Sequence, residues 1–441
     1  MTYCKAAIRS APGWGTPVKT FFGVCFVLLV VAAAALVAGC GGGASTASII
    51  RNPSGPSAPP TAPPTGTAPQ SHLLDAVYAE GYAGTTRAPS ALAPYVSWAA
   101  NVSAGNLAAV HAAGMFAYTY TDYMVEYSNG SSPMWAWLQS NQQYVARTCA
   151  GTKVSVSSHG GGQQVDPSSL SVFTEWQAIM SPGYDAVFVD DSGGPSYFAS
   201  GTPCDAANWP QDEINGVNSV THPPLVFNAL GAAPYNAGAV TLVQGSAGST
   251  GFLEGCYAAA GGFGITNTIV PLSPWLDMEN DEIAMVNSGH PFWCYATETN
   301  ANAASQAHRI FVLASFLLTY SASSVIQEAY ATPSDGLNPV QPEYAVVPTQ
   351  PLVAEPASIS GLASGGVYYR EYAACFLANT AVGPCASIVN PDSSSHANPL
   401  SGKYAHSLLL SGGGVFDGGS ATLSGPASPS TIGPGSAAIL N

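Results

Sequence analysis

Charge is what this chain of 441 residues has least of: 8% of it is Asp, Glu, Lys or Arg, with 10 basic residues against 25 acidic ones. Proteins that bind nucleic acid neutralise phosphates with clusters of Lys and Arg, and no such cluster exists here, so nucleic acid is excluded as a partner. CxxC pairs and paired His/Cys spacings are also missing, which argues against a structural zinc site. No G-x-G-x-x-G follows the first strand-like run, and no Lys-Ser/Thr follows Gly160-Gly161-Gly162, so neither common phosphate cradle is present. The serines beside His159 lack a G-x-S-x-G elbow. What is abundant is apolar: 47% hydrophobic and 10% aromatic residues, far too much for a wholly disordered chain. Length alone predicts about two folded units.

Lys5, Arg9 and Lys19 precede an unbroken apolar stretch from Phe21 to Gly39, the pattern of an export signal. It ends Leu36-Val37-Ala38-Gly39-Cys40, which resembles the lipobox of bacterial lipoproteins. That resemblance implies lipidation of Cys40 and removal of residues 1–39. An uncleaved transmembrane helix is the alternative, since 19 apolar residues just span a bilayer. Either way the rest of the chain is expected outside the cytoplasm, anchored to the cell envelope. Cleavage removes three of the 10 basic residues and no acidic one, leaving a formal charge of −18. An acidic exported protein favours neutral or cationic ligands.

Of nine cysteines, Cys4 and Cys25 leave with the signal and Cys40 takes the lipid. Cys149, Cys204, Cys256, Cys294, Cys375 and Cys385 remain, an even set that predicts disulfides; six allow 15 pairings, with Cys375–Cys385 the most local. Residues 40–70 (PSGPSAPPTAPPTGTAPQ at their core) form an extended Pro/Ser/Thr tether unable to bury a core.

From residue 71 to 347, β-rich runs alternate with helical patterns. The runs are Ala76–Tyr82, Met115–Asp122, Lys153–Ser157, Ala186–Asp190, Leu225–Asn228, Gly251–Gly255, Phe292–Thr297 and Ser324–Gln327. Helical patterns cover Ala99–Ala113, Trp135–Ala146, Leu170–Met180 and Ala303–Leu318. Repeated strand–helix–strand order predicts α/β architecture with a parallel sheet, and eight units in this length match a (β/α)8 TIM barrel. A doubly wound open sheet is the alternative. Residues 348–441 read as short strands separated by Gly, Asn and Pro clusters, a small C-terminal antiparallel β-sandwich. Arg370 in that region reads as a structural ion-pair partner.

Barrel enzymes carry their chemistry at the C-terminal strand ends. Here those ends supply Glu80 and Tyr82, Tyr120 and Asp122, Ser157 and His159, Asp190 and Asp191, Asn228, Glu254, Glu298 and Glu328. Asp190 and Glu254 stand out, because a buried strand tip is a poor place for a charge unless it is paired, hydrogen-bonded or working. Asp191 also reads as a helix cap or turn residue.

The runs "YDAVFVDDSGG", "PLVFNAL", "GFLEGCY" and the distal "GGVYYREYAACFLANT … SAAIL" resemble the TIM-barrel glycoside hydrolases of the hypothetical glycosyl hydrolase family 15 type. At strands four and six they are also similar to glycoside hydrolase family 114, the endo-α-1,4-polygalactosaminidases. The resemblance implies an acid after strand four and another after strand six acting on a glycosidic bond, positions that fall on Asp190 and Glu254. Ala186 stands where the family carries Gly. Glycoside hydrolysis needs one carboxylic acid and one carboxylate, which assigns Glu254 as general acid and Asp190 as nucleophile or base. Retention and inversion both stay open.

Tyr78, Glu80, Tyr120, Asp122, Asp191, Asn228, Glu298 and Glu328 are expected to contact substrate, though Tyr78, Tyr120, Asp122 and Asn228 could instead pack the barrel mouth and Glu298 and Glu328 could be surface acids. Trp135 and Trp137 could form a sugar-stacking wall, or their helix could bury one of them. No cofactor or metal is called for. The expected partners are a polysaccharide and, through Cys40, a membrane; the chain is expected to be monomeric. The rival reading is a non-catalytic carbohydrate-binding surface lipoprotein on the same scaffold.

Overall fold

Ala186-Val187-Phe188-Val189 is buried at every position, which only a strand covered on both faces can be. It sits near the middle of a sheet of eight parallel strands. In chain order these are β1 (Val77–Tyr78), β2 (Trp98–Ala99), β3 (Phe116–Thr121), β4 (Ala186–Val189), β5 (Leu225–Leu230), β6 (Thr250–Glu254), β7 (Phe292–Tyr295) and β8 (Val325–Gln327). Their order in the sheet is their order in the chain, as right-handed crossovers returning to the next position require. This computed structural model describes residues 77–78, 88–100, 102–127, 133–157, 161–196, 198–230, 238–257, 268–296, 303–321, 323–327, 330–332, 336–338, 340–378 and 380–441. Cys40, the tether, Glu80, His159, Glu298 and Glu328 lie outside them, as does the side chain of Tyr78.

Alternation along the strands sorts side chains to two faces. Tyr118, Ala186, Phe188, Val226, Phe252, Trp293, Tyr295 and Val325 form one buried cluster on the inner face. Val187, Val189, Leu225, Phe227, Leu253, Phe292, Cys294 and Ile326 join the larger core under the helices. The sheet is curled: Trp98 on β2 reaches Trp293 on β7 with ring centroids 5.0 Å apart, and Tyr118 on β3 reaches the same ring at 5.8 Å. Strands β1 and β8 approach within 8 Å, but no hydrogen-bonded pair joins them among the described residues.

Two sequence expectations need correcting here. The run Lys153–Ser157 is not a member of the parallel sheet. Ser155–Val156 pairs antiparallel with Gly162–Gln164, which also pairs with Val125–Tyr127. The missing member is Trp98–Ala99, at the edge of what reads as a helix over 99–113; the helix there covers only Leu107–Ala112. The two errors cancel in the count, so Asp190 still follows the fourth strand and Glu254 still ends the sixth.

Eight helices are described: α1 (Pro89–Leu92), α2 (Leu107–Ala112), α3 (Pro133–Ser140), α4 (Leu170–Ile179), α5 (Trp209–Val217), α6 (Ala239–Gly245), α7 (Leu272–Ser288) and α8 (Ala303–Leu318). None of the described helices is long and apolar enough to cross a membrane. Trp137 on α3 stacks on Tyr144 at 5.0 Å with planes 5° apart and packs against the core, which is the packing alternative for that residue rather than an open platform.

The C-terminal region carries an antiparallel sheet in the order β9 (Val346–Pro348), β10 (Val367–Leu377), β11 (Thr380–Asn390) and β12 (Ser436–Leu440). It packs on α8: Ser387 donates to the Ala314 carbonyl at 2.5 Å, Arg370 to the Leu318 carbonyl at 2.8 Å, and Tyr372 to the Leu317 carbonyl. Buried Arg309 on α8 pairs with buried Glu343, and Arg370 pairs with Glu355 at 2.5 Å, the structural role read for Arg370. Three disulfides, Cys149–Cys204, Cys256–Cys294 and Cys375–Cys385, are formed; the last is the pair expected from sequence. Such bonds belong to an oxidising compartment outside the cytoplasm.

Candidate functional site

Phe188, Val226 and Phe252 point into the curl of the sheet. Two residues further along each strand, the same face carries Asp190, Asn228 and Glu254. Asp190 stays in the ladder, its N–H donating to the Thr121 carbonyl at 3.0 Å. Glu254 is still paired, opposite Tyr295. These side chains therefore project from the rigid rim of the sheet rather than from loops.

Asn228 joins them. Its Nδ2 donates to Asp190 Oδ1 at 2.8 Å and to Glu254 Oε2 at 2.7 Å. The nitrogen must face both acids, because only an N–H group can donate to two carboxyl oxygens. One nitrogen serving both means that these two oxygens lie no more than 5.5 Å apart, the sum of the two bonds. Asp190 has two more donors: the Tyr120 hydroxyl at 2.7 Å on Oδ2 and the Asp191 N–H at 3.0 Å on Oδ1. Both acids are half-buried, which leaves them reachable from solvent.

Electrostatics separates the groups. Burial pushes the Glu254 carboxyl above its ordinary range; the Asn228 bond opposes the rise, and the charges of Asp190 and Asp191 add to it. Tyr120 is 45% exposed, yet its hydroxyl end is desolvated beside Asp190, Asp122 and Asp191, and its pKa is driven far above that of an ordinary phenol. It therefore stays a donor. Asp122 is also raised, by burial first and then by Asp191 and Asp190. Its Oδ1 accepts from the Met124 and Val125 N–H groups at 3.1 and 2.7 Å, so it braces the turn leaving β3, while Oδ2 is buried without a partner among the described residues.

The loop after β4 is held in an unusual shape. Asp191 has φ +49°, a left-handed conformation that Asp tolerates better than most residues and that clusters at functional sites. Ser192 ties back to the Val189 carbonyl at 3.0 Å. Gly193 (φ +86°) donates its N–H to Glu213 Oε2 at 2.8 Å. Glu213, fully buried on α5, also accepts from Trp209 Nε1 at 2.9 Å. Burial pushes its pKa up to about 8 against those two bonds. Glu213 carries no local sequence signal; only the fold shows that it anchors the Asp190–Gly193 loop.

The geometry brings together Tyr120, Asp122, Asp190, Asp191, Asn228 and Glu254. Such a constellation can deliver a proton from a raised carboxyl to one side of a bond and present a carboxylate to the other.

No protein-family model matches the chain, and no curated protein matches it. Among solved structures, the glycoside hydrolase domain of PelA from Pseudomonas aeruginosa aligns at 14% identity and TM-score 0.37, over 59% of this chain and 96% of that one. A xylosidase from Aspergillus niger aligns at 9% identity and TM-score 0.38, over 62% of this chain and 42% of that one.

Proposed function

We propose that this protein is a glycoside hydrolase that cleaves a glycosidic bond in an extracellular or envelope polysaccharide, with Asp190 and Glu254 as its two working acids. The observation that carries the reading is the single Asn228 nitrogen shared by both carboxyls. Retaining enzymes place their carboxyls about 5–5.5 Å apart and inverting enzymes about 6.5–9.5 Å, leaving room for a water. The upper bound of 5.5 Å between the facing oxygens favours retention.

In this mechanism Glu254, protonated because burial raises its pKa, gives its proton to the glycosidic oxygen as the bond to the anomeric carbon breaks. Asp190 attacks that carbon and forms a glycosyl ester. Glu254, now a carboxylate, takes a proton from water, whose oxygen displaces Asp190 and restores both groups. Tyr120, Asn228 and the Asp191 N–H hold Asp190 in its attacking orientation. Asp122 and Asp191, with Tyr78, Glu80, Glu298 and Glu328 from the other strand ends, would line the sugar subsites.

The scaffold we assign is a closed (β/α)8 barrel over residues 71–347 with a C-terminal β-sandwich over 348–441. A tether over 40–70 would link it to lipidated Cys40 at the envelope. Reducing-end release from a panel of neutral and amino-sugar polysaccharides tests the function. Wild type should release ends from at least one polymer, while Asp190→Asn and Glu254→Gln, folded as judged by circular dichroism, should lose about 10²–10⁴-fold in kcat. Sugar affinity without turnover in the wild type would establish the carbohydrate-binding alternative instead.

A further inference from the structure

A crosslink placed just past the last pair of a ladder acts on the turn beyond it, because the strands are already held by their hydrogen bonds. The Cys256 end of the Cys256–Cys294 disulfide has that placement, and Cys294 lies within the ladder opposite Leu253. β6 pairs with β7 through Glu254 opposite Tyr295. Cys256 lies two residues beyond Glu254, donates its N–H to the Tyr295 carbonyl at 2.8 Å, and is bonded to Cys294, the neighbour of Tyr295. Both sulfurs are buried on the helix side of the sheet, behind the inward-facing carboxyl.

The turn needs holding. Gly255 has φ +76° and Tyr257 φ +57°, so left-handed residues flank Cys256, and a tyrosine leaves that region unless tertiary contacts fix it. Those contacts are present. The Tyr257 hydroxyl donates to Glu282 Oε2 on α7 at 2.8 Å, its N–H meets Met278 Sδ at 3.4 Å, and its carbonyl accepts from the Val270 N–H at 3.2 Å. Tyr257 is fully buried.

We infer that the turn from Glu254 to Tyr257, clamped to β7 by Cys256–Cys294 and to α7 by Tyr257–Glu282, is the device that aims Glu254 at Asn228 and Asp190. Cys256, Cys294 and Tyr257 are positioning residues, and their role in catalysis rests on the function proposed above. With the clamp open, Glu254 regains solvent, which removes the burial that is the largest cause of its rise and outweighs the loss of the Asn228 bond that opposes it, so its carboxyl returns toward an ordinary glutamate.

The test reads Glu254 itself, without substrate. Infrared difference spectra of the full chain, with Glu254→Gln identifying the band, give the protonation midpoint of Glu254. In Cys256→Ala/Cys294→Ala the midpoint should fall by about one pH unit. The Cys375→Ala/Cys385→Ala control should lower the melting temperature and leave the midpoint in place. Should the first double variant not fold, Tyr257→Phe, which removes only the hydroxyl, should move the midpoint in the same direction by less. On a hydrolysed polymer the clamp variants should lose on the order of tenfold to a hundredfold in kcat with KM little changed. A midpoint equal to wild type in the folded clamp variants overturns the inference. A shifted midpoint in a protein that hydrolyses nothing keeps the clamp and sinks the hydrolase.

Discussion

Two groups of acids in this molecule are built in opposite ways. At the rim of the sheet, Asp190 and Glu254 are half-buried and the donors that hold them are neutral: a phenol, an amide and a backbone N–H. Between the helices and the C-terminal sheet, Glu343 is fully buried against Arg309, and Glu355 meets Arg370. Arg370 also offsets part of the rise in Glu282. A guanidinium favours the anionic form of a carboxylate, as Arg370 does in opposing the burial that raises Glu355. Neutral donors orient a carboxyl while leaving it free to gain and lose a proton. Chemistry belongs to the first arrangement and architecture to the second.

The largest expected effects separate the two groups. Glu254→Gln should leave the melting temperature near wild type while lowering kcat by about 10²–10⁴-fold. Arg309→Met should do the reverse, costing about 3–5 kcal/mol by stranding buried Glu343 while the protein that remains folded keeps its pH profile. Thermal unfolding and reducing-end assays on both variants check this. If Arg309→Met shifts the pH profile, the division between the groups is wrong.

A sharper test is Asn228→Ala. Losing a hydrogen bond to a charged group costs about 1.5–3 kcal/mol, or tenfold to a hundredfold in kcat/KM. The Asn228 bond lowers the Glu254 pKa, so its removal should move the alkaline limb of activity to higher pH. A limb moving to lower pH would contradict the assignment of Glu254 as the acid.

The last effect concerns stability. Burial raises Glu213 to about 8 and carries Glu279 and Glu282 well above the ordinary value, so the folded state prefers their neutral forms. An unfolded glutamate titrates near about 4.3. Stability is thus full below that pH and is lost as pH rises toward the folded values. The melting temperature should decline between about pH 5 and pH 8, and a rising curve would show that these acids are charged in the fold.

How much of this the sequence disclosed follows from range. The wholly apolar run ending in Asp190-Asp191 and the Leu-Glu-Gly ending of β6 mark themselves, because a charge at the tip of a buried strand is locally conspicuous. Trp98–Ala99 does not: two residues inside an alanine-rich stretch carry no period of their own. Lys153–Ser157 has strand composition, but composition does not say which sheet accepts it. Asn228 reads as a polar strand end, and its bridging role depends on the register of three strands. Glu213 and the Cys256–Cys294 pairing depend on contacts between distant segments, which no local pattern encodes.

The most direct measurement is peptide mapping by mass spectrometry of enzyme quenched in acid during turnover. A glycosyl ester on the peptide containing Asp190, absent from Asp190→Asn, is the predicted result. Hydrolysis that proceeds with no label on Asp190, or with the label on another acid, would contradict the pairing on which the mechanism stands.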